Sequence, residues 1–297
     1  MKRTTFDRNF DYIVAILLII LLLSVLYPLY FVVIASVSNP SLVASGQVSI
    51  FPRGFTMAGY QKVIEYEKIW TGYRNTIFYV LAYTALSVSI TMAAGYALSR
   101  KALPGRKGVM LFMTFTMFFS GGLVPTYLLM DAIGLVGNPL TIVLMGAISV
   151  YNIIIARTFM TQTIPDELFE AASIDGCTHF RFFFYVVLPL SPALLAVLTL
   201  FAAVGQWNSW FNAMIYLRDP NHMPLQIVLR EIIISESSMA QNTEAGAMMG
   251  EDAAQQALLV ESMKYAVIIV STLPIMCLYP FVQKYFVKGI MIGSIKG

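Results

Sequence analysis

The chain has 297 residues, of which 58% are hydrophobic and 12% are charged, and its net charge is +3. A soluble domain carries about 25% charged residues, so this composition excludes a soluble globular protein and indicates a polytopic membrane protein. No concentration of positive charge suggests a nucleic-acid partner.

Cysteine, histidine and glycine patterns indicate no catalytic, metal or nucleotide site. Cys177 and Cys277 lie 100 residues apart in unrelated contexts, which is neither a metal motif nor a disulfide framework. His179 and His222 are isolated as well. The chain contains no glycine-rich loop ending in Gly-Lys-Ser/Thr, so we expect no ATP binding of that type by this chain itself.

Six apolar segments are each close to the length of about 20 residues that crosses the hydrocarbon core. The first is too long for a cleaved signal peptide, although residues 35–38 resemble a cleavage site weakly. The third is interrupted by Ser120-Gly121-Gly122 and Pro125, so we expect a break that faces other helices or a water-filled path. The predicted spans are Tyr12–Val37, Thr71–Leu98, Gly108–Met130, Leu140–Met160, Leu188–Ile215 and Met263–Phe286.

The distribution of basic residues predicts that both termini face the cytoplasm. With that orientation, twelve lysines and arginines fall on the inside in short loops and seven on the outside in longer ones, as the positive-inside rule requires. The two long outer loops are residues 38–70 and 216–261. They are either ordinary solvated connections or contacts for an external partner. The inside residues are Lys2, Arg3, Arg8, Arg100, Lys101, Arg106, Lys107, Arg157, Arg181, Lys284, Lys288 and Lys296.

The inner loop between the fourth and fifth spans predicts a helix, a glycine turn and a second helix. Thr163 is placed to cap the first turn, and Pro165 stands where a missing N–H costs nothing. Gly176 is placed to end the helix in a left-handed conformation, and Thr178 to cap the next one. The apolar spacing predicts one buried face, made by Ile164, Leu168 and Ala172.

Residues 170–176 read Glu-Ala-Ala-Ser-Ile-Asp-Gly and are followed by Phe182 and by Leu188-Pro189-Leu190. This pattern resembles the EAA signature of ABC-importer membrane subunits, with Cys177 at a position where alanine is usual. Residues 283–297 resemble the end of the MalG-type carbohydrate permeases. Residues 119–125, Phe-Ser-Gly-Gly-Leu-Val-Pro, are similar to the subgroup related to LplC and YtcP.

The resemblance implies a type I ABC importer permease fold with six transmembrane helices and a cytoplasmic coupling helix. That helix would sit in a groove of a separate ATPase and transmit its closure to the membrane. Glu170 would supply a charged contact, Ala171 and Ala172 a close approach, Asp175 a brace for the turn, and Gly176 the turn itself. ATP and Mg²⁺ would be bound by two partner ATPase subunits.

The resemblance also implies a second, non-identical permease subunit, an extracytoplasmic solute-binding protein and a carbohydrate substrate, with an oligosaccharide favoured. A homodimer of this chain is the alternative to an unlike pair. Gly289, Gly293 and Gly297 recur every four residues, so a helical tail would present a smooth stripe that the resemblance places near the ATPase dimer interface. The other reading of that tail is a frayed terminus.

An aromatic and amide cluster in the fifth span is the candidate for substrate contact. Sugars are held by aromatic faces and amide hydrogen bonds, and buried amides need partners or a polar path. Tryptophan near a helix end is equally typical of the membrane interface, so both interpretations stand. The cluster consists of Gln206, Trp207, Asn208, Trp210 and Asn212.

Two other functions are alternatives to the importer subunit. A carrier driven by an ion gradient would need buried carboxylates in its spans, and here Asp131 lies only at a span end. A membrane-embedded enzyme would need a catalytic constellation that the sequence lacks. The predicted division is 1–70 for the N-tail, first helix and outer loop, 71–286 for a five-helix core with the EAA loop at 163–187, and 287–297 for the C-terminal tail.

Overall fold

The computed structural model describes residues 5–234 and 263–277, and it shows helices joined by turns with no strand in those two ranges. This agrees with the predicted all-α class. The helices are α1 (Thr5–Ser36), α2 (Pro40–Ala44), α3 (Ala58–Glu65), α4 (Glu67–Ser99), α5 (Arg106–Phe118), α6 (Leu123–Ala132), α7 (Leu140–Leu144), α8 (Val150–Thr163), α9 (Asp166–Ile174), α10 (His179–Phe182), a π-helical turn (Phe183–Val187), α11 (Leu188–Leu190), α12 (Pro192–Trp207), α13 (Phe211–Tyr216), a 3₁₀ turn (Pro220–His222) and α14 (Met263–Cys277). Residues 225–234 are helical as well.

Two helices among the described residues are long and apolar enough to cross a bilayer unbroken. They are the Asn9–Ser36 part of α1, with a mean hydropathy of 2.8, and α4, with 1.7. None of the most apolar window of α1 is buried, whereas 33% of that of α4 is. Counting each of two bent helix pairs as one span raises the number to four. α14 begins where the sixth span is predicted, and the rest of that span lies outside the described residues.

The third predicted span is broken where the sequence analysis places the interruption. α5 ends at Phe118 and α6 begins at Leu123, with an angle of 112° between them. Gly122 precedes α6 with a φ of +82°, a conformation that glycine adopts without steric cost. Neither helix has a buried residue, so this broken pair presents nearly all of its apolar surface outward.

The fourth and fifth predicted spans are also divided, which the sequence analysis does not anticipate. Gly146, with a φ of +78°, lies in the turn between α7 and α8. The helix His179–Leu190, which includes the π-helical turn, meets α12 at 84° across Ser191. Pro192 stands at the first position of α12, where its missing N–H is tolerated.

The described residues form two compact units, divided between Ile69 and Trp70 and between Val228 and Leu229. The first unit contains α1 to α3 and most of α14. Its buried core is small and joins the end of α1 to the loop around α2, with Tyr265 of α14 packed against it. The core residues are Ile34, Ala35, Val43 and Val48.

The second unit is built around α4, which contributes to two buried clusters. Tyr79 packs with residues of α7, α13 and the segment after it. Met92 and Tyr96 pack with α8, the start of the inner loop, and α12. α4 and α8 approach most closely at Gly95, where an added Cβ would lie 2.6 Å from the Cβ of Ala156, so only glycine fits there. The predicted division at 1–70, 71–286 and 287–297 stays a prediction.

Candidate functional site

The loop between α8 and α12, in the second unit, forms the helix, turn and helix that its sequence predicts. α9 begins at Asp166 after Pro165, which has extended backbone angles and provides no side-chain cap. The prediction that Thr163 caps this helix is wrong, because Thr163 is the last residue of α8 and Ile164 separates the two helices. Asp166 and Glu167 instead favour the first turn, since their carboxylates face the positive end of the helix dipole.

The end of α9 is a Schellman motif. The N–H of Gly176 donates to the carbonyl of Ser173, and the N–H of Cys177 donates to the carbonyl of Ala172, both at 3.0 Å. Gly176 has a φ of +77°, as predicted. Thr178 then caps α10, its Oγ1 accepting from the N–H of Arg181 at 3.4 Å. These local contacts fix the angle at which the chain leaves α9.

One face of α9 packs against the core around α4, and the sequence pattern assigns it only in part. Ile164 is 1% exposed, and Phe169 and Ala172 pack against the same cluster. Leu168 is 43% exposed, so its predicted place on the buried face is wrong. The reason is that Ile164 lies outside the helix, in a non-helical conformation, and the helical spacing cannot be counted from it.

The opposite face of α9 is exposed and carries acidic and apolar side chains together. Glu167, Glu170, Ala171 and Asp175 are all exposed. Ile174 is 87% exposed, an unusual position for a large aliphatic side chain in the loop of a compact unit. The exposure of Ile174 is not predicted from the sequence, where it is only a member of the signature. An acidic, partly apolar helix surface of this kind can dock into a groove of another protein.

Arg100, directly after α4, fastens the start of α9. It is 5% exposed although it is charged. Its Nη2 donates to the carbonyl of Ile164 at 2.9 Å, its Nη1 lies 3.2 Å from Oδ1 of Asp166, and its Nε donates to Oγ of Ser99 at 3.1 Å. The guanidinium also stacks over the ring of Tyr96, 5.2 Å from its centroid. A buried cation with this many partners is held in one position.

An aromatic stack fastens the middle of α9. The rings of Phe169 and His179 lie 3.9 Å apart and nearly parallel, at 8°. Nδ1 of His179 is 3.0 Å from the hydroxyl of Tyr96, and Phe182 meets Phe169 edge-on. α9 is therefore joined to the same end of α4 twice, through Arg100 and through His179.

The substrate-contact candidates lie around the junction of α12 and α13. Nε2 of Gln206 donates to the carbonyl of Ile142 on α7 at 3.3 Å, so this amide has the partner that a membrane segment requires. Trp207 is 6% exposed, and its ring meets Tyr73 of α4 edge-on at 6.1 Å.

The other three candidates follow the end of α12. Nδ2 of Asn208 donates to the carbonyl of Val204 at 2.9 Å, closing the helix end. Trp210 is 37% exposed and meets Phe211 edge-on at 5.6 Å. Asn212 is half-buried in α13. The structure thus brings the five side chains to one junction, but several of them already serve the packing of the helices.

Two further predictions concern the tail and metal binding. The tail glycines Gly289, Gly293 and Gly297 lie outside the described residues. Among residues 5–234 and 263–277, no group of three or more histidine, cysteine, aspartate or glutamate side chains could hold a metal ion.

Comparison with known proteins identifies the family of the chain over most of its length. The family described as "Binding-protein-dependent transport system inner membrane component" matches residues 75–292. The polygalacturonan/rhamnogalacturonan transport system permease protein YtcP of Bacillus subtilis (strain 168) is 35% identical over 291 residues, which cover 98% of this chain and 99% of YtcP. Protein LplC of the same strain is 36% identical over 271 residues, covering 91% and 89%.

One solved structure has a similar fold over nearly the whole chain. It is the crystal structure of a bacterial ABC transporter involved in the import of the acidic polysaccharide alginate, and one of its chains is similar with a TM-score of 0.86 and 32% identity. The match covers 96% of this chain and 99% of that one. The predicted ABC importer permease fold is confirmed. The chain belongs to the family of inner membrane components of binding-protein-dependent transport systems and is an integral membrane transport subunit.

Proposed function

We propose that this chain is one of two permease subunits of an ATP-driven importer whose substrate is a carbohydrate, with oligosaccharides as the favoured class. The names of the relatives support the substrate class, since YtcP is named for polygalacturonan and rhamnogalacturonan and the solved transporter imports alginate. The observation that carries the mechanism is the exposed acidic face of α9, because a helix fastened to α4 on one side and open on the other is built to dock a partner.

α9 is the proposed coupling helix. Glu170 supplies the charged contact with the ATPase, and Ala171, with its short side chain, allows the two surfaces to approach closely. Ala172 packs α9 onto the second unit, while Asp175 and Gly176 form the C-terminal turn that sets the direction of the helix. A short helix with a defined start and end transmits a displacement because it moves as one body.

The proposed complex has five further components besides the lipid bilayer. They are a second, non-identical permease, two ATPase subunits, an extracytoplasmic solute-binding protein and the carbohydrate. ATP and Mg²⁺ belong to the ATPase subunits, and this chain provides no catalytic residue. The tail glycines Gly289, Gly293 and Gly297 are proposed to reach the ATPase dimer, and both termini and α9 to face the cytoplasm, in agreement with the distribution of basic residues.

The α12–α13 junction is the proposed substrate pathway. It combines ring faces and amides close together, which is the chemistry that sugars need. Asn208 and Trp210 are exposed, and Gln206 and Asn212 are half-buried, so these four have accessible surface, whereas the buried Trp207 would support the pathway from behind through its contact with Tyr73.

The test is purification of the tagged chain in mild detergent with every co-purifying subunit identified and counted. We expect an ATPase and a second permease with the unmodified chain, and specific loss of the ATPase from Glu170→Lys, because a reversed charge opposes docking. The matched control is Glu65→Lys, which reverses another exposed glutamate in the short helix α3 of the outer loop and should keep the ATPase. A chain that purifies alone and exchanges solute in vesicles without ATP would contradict the proposal and favour a secondary carrier.

A further inference from the structure

α4 is held by polar contacts at both of its ends, and the two sets of contacts involve different parts of the second unit. At the end that carries Ser99, Arg100 and Tyr96 hold the start and middle of α9. The contacts toward its other end begin at Asn75, 24 residues before Ser99, so at 1.5 Å per residue the two sets of contacts lie about 36 Å apart, slightly more than the thickness of the hydrocarbon core, about 30 Å.

At that other end, three buried polar side chains of α4 hold the backbone of residues 221–225. Nδ2 of Asn75 donates to the carbonyls of Asn221 and Met223, at 2.7 and 3.0 Å. The hydroxyl of Tyr79 donates to the carbonyl of His222 at 2.9 Å. The polar side chains involved, Asn75, Thr76 and Tyr79, are 8%, 2% and 3% exposed.

Two further contacts make this attachment close. Oγ1 of Thr76 accepts from the N–H of Leu225 at 2.8 Å. A Cβ added at Gly72 would lie 3.0 Å from the Cα of Leu225, so the backbones of α4 and this segment nearly touch. Segment 221–225 therefore cannot shift relative to α4 without breaking one buried and three partly buried hydrogen bonds at once.

We propose that α4 is the rod that transmits the displacement of α9 to segment 221–225, with Arg100 as the positioning residue at one end and Asn75 at the other. This inference rests on the proposed function of α9 as the coupling helix. Arg100 suits the role because its buried guanidinium donates a hydrogen bond to the carbonyl of Ile164 and lies within ion-pair distance of the carboxylate of Asp166, so one side chain contacts both the residue before α9 and its first turn. At the far end, Asn75 and Tyr79 donate to backbone carbonyls of segment 221–225, so a displacement of α4 would move the backbone of that segment.

Lys101 offers a matched comparison with Arg100. Its Nζ lies 3.7 Å from Oδ2 of the same Asp166, but its side chain is 77% exposed. An exposed ion pair contributes little and leaves the lysine free to rearrange, so Lys101 cannot transmit a displacement. The two neighbouring basic residues thus share one partner and differ in burial.

The test uses a cysteine at the far end of α4 as a reporter of nucleotide binding at the near end. Asn221→Cys is introduced after Cys177→Ala and Cys277→Ala, and the whole transporter with its ATPase is purified and placed in lipid nanodiscs. Its labelling by a charged maleimide is measured without nucleotide and after trapping with ATP, Mg²⁺ and vanadate. We expect trapping to change the labelling rate by about fivefold or more, the lower range of coupling between distant sites.

Asp166→Asn should abolish that change while the ATPase stays bound and is trapped normally, because Arg100 keeps its other bonds and the exposed face of α9 is untouched. Asn75→Ala should abolish the change in labelling rate from the other end of α4. Because two variants at opposite ends are tested, a folding defect in one of them does not decide whether α4 transmits the displacement. Lys101→Gln should keep the response. A response that persists in Asp166→Asn and Asn75→Ala, loss of the ATPase from Asp166→Asn, or no response in the parent overturns the inference. Absence of any ATPase from the parent complex overturns the proposed function and the inference together.

Discussion

Within α9 and its C-terminal turn, Gly176 is the one residue whose backbone conformation disfavours any residue with a Cβ. Its φ of +77° is disfavoured for any residue with a Cβ, by about 1–2 kcal/mol. An added Cβ would meet no atom within 4 Å, so the cost of substitution there is purely conformational. The turn sets the angle at which the chain leaves α9, so the left-handed conformation of Gly176 is a local structural constraint on this one residue.

Gly176→Ala should loosen the turn without disturbing the packing around it. A strain of 1–2 kcal/mol corresponds to a change of about 5–30-fold in a local opening equilibrium. We expect the amide of Cys177, which bonds to the carbonyl of Ala172, to exchange with solvent faster by about that factor, measured by hydrogen exchange and mass spectrometry.

The control for this prediction is Gly134→Ala. Gly134 has a φ of +72° and equally open surroundings, but it lies in the turn after α6. The control should quicken exchange in its own turn and leave residues 172–178 unchanged. Equal exchange at Cys177 in Gly176→Ala and in the unmodified protein would show that the left-handed conformation does not hold the turn.

At the scale of the element, the turn and the cap that follow α9 could be predicted from the sequence, whereas the contacts of α9 with residues distant in sequence could not. Gly176 and Thr178 were predicted because a turn and a cap depend on residues only a few positions away. The contacts of Arg100 could not be predicted because its partners, Ile164 and Asp166, are more than sixty residues distant in sequence. A basic residue directly after an apolar span indicates only which side of the membrane the loop faces.

The placement of Leu168 on the buried face was wrong for a different reason. A periodic pattern gives the buried face only when its first residue belongs to the helix, and Ile164 does not. The division of the fourth and fifth spans was not predicted because an apolar composition indicates that a segment lies in the membrane but does not indicate where its helix bends. The signals for those bends, Gly146 and Pro192, are single residues within long apolar runs.

Phe169→Ala should release the inner face of α9, while Leu168→Ala should not. Truncating a fully buried phenylalanine costs about 3–5 kcal/mol, and Phe169 is only partly buried, so the expected cost is smaller. Cys177 packs against the same cluster and reports the release directly. In a Cys277→Ser background, we expect Phe169→Ala to raise the maleimide labelling rate of Cys177 about tenfold, which corresponds to about 1.4 kcal/mol.

Leu168→Ala is the matched control because it truncates the neighbouring apolar residue of the same helix at an exposed position. Surface substitutions of this kind change stability by about 0.5 kcal/mol or less, so labelling should stay within about twofold. Equal labelling rates in the two variants would mean that the stack of Phe169 on His179 does not hold α9 in place.

At the scale of the whole molecule, the break between α5 and α6 is the feature of the described residues that bears on the proposed assembly. None of the most apolar window of α1 is buried, and α5 and α6 have no buried residue. Lipid can cover a smooth apolar helix. A break such as the one at residues 119–122 frees backbone groups that hydrocarbon cannot satisfy, so it needs a protein partner or water. This supports the proposal that a second permease completes the pathway.

The orientation of the chain gives the last prediction, because the proposed route from α9 through α4 to segment 221–225 requires the two ends to face opposite compartments. The distribution of basic residues predicts that α9 lies inside and the loop around α2 outside. Ser173 and Ser45 are exposed serines in these two places and can each be replaced in a Cys177→Ala, Cys277→Ala background. On intact protoplasts, a membrane-impermeant maleimide should label Ser45→Cys and not Ser173→Cys, and permeabilisation should make both reactive. The reverse pattern would place α9 outside the cell, where no ATPase could reach it, and both proposals would fail with the orientation.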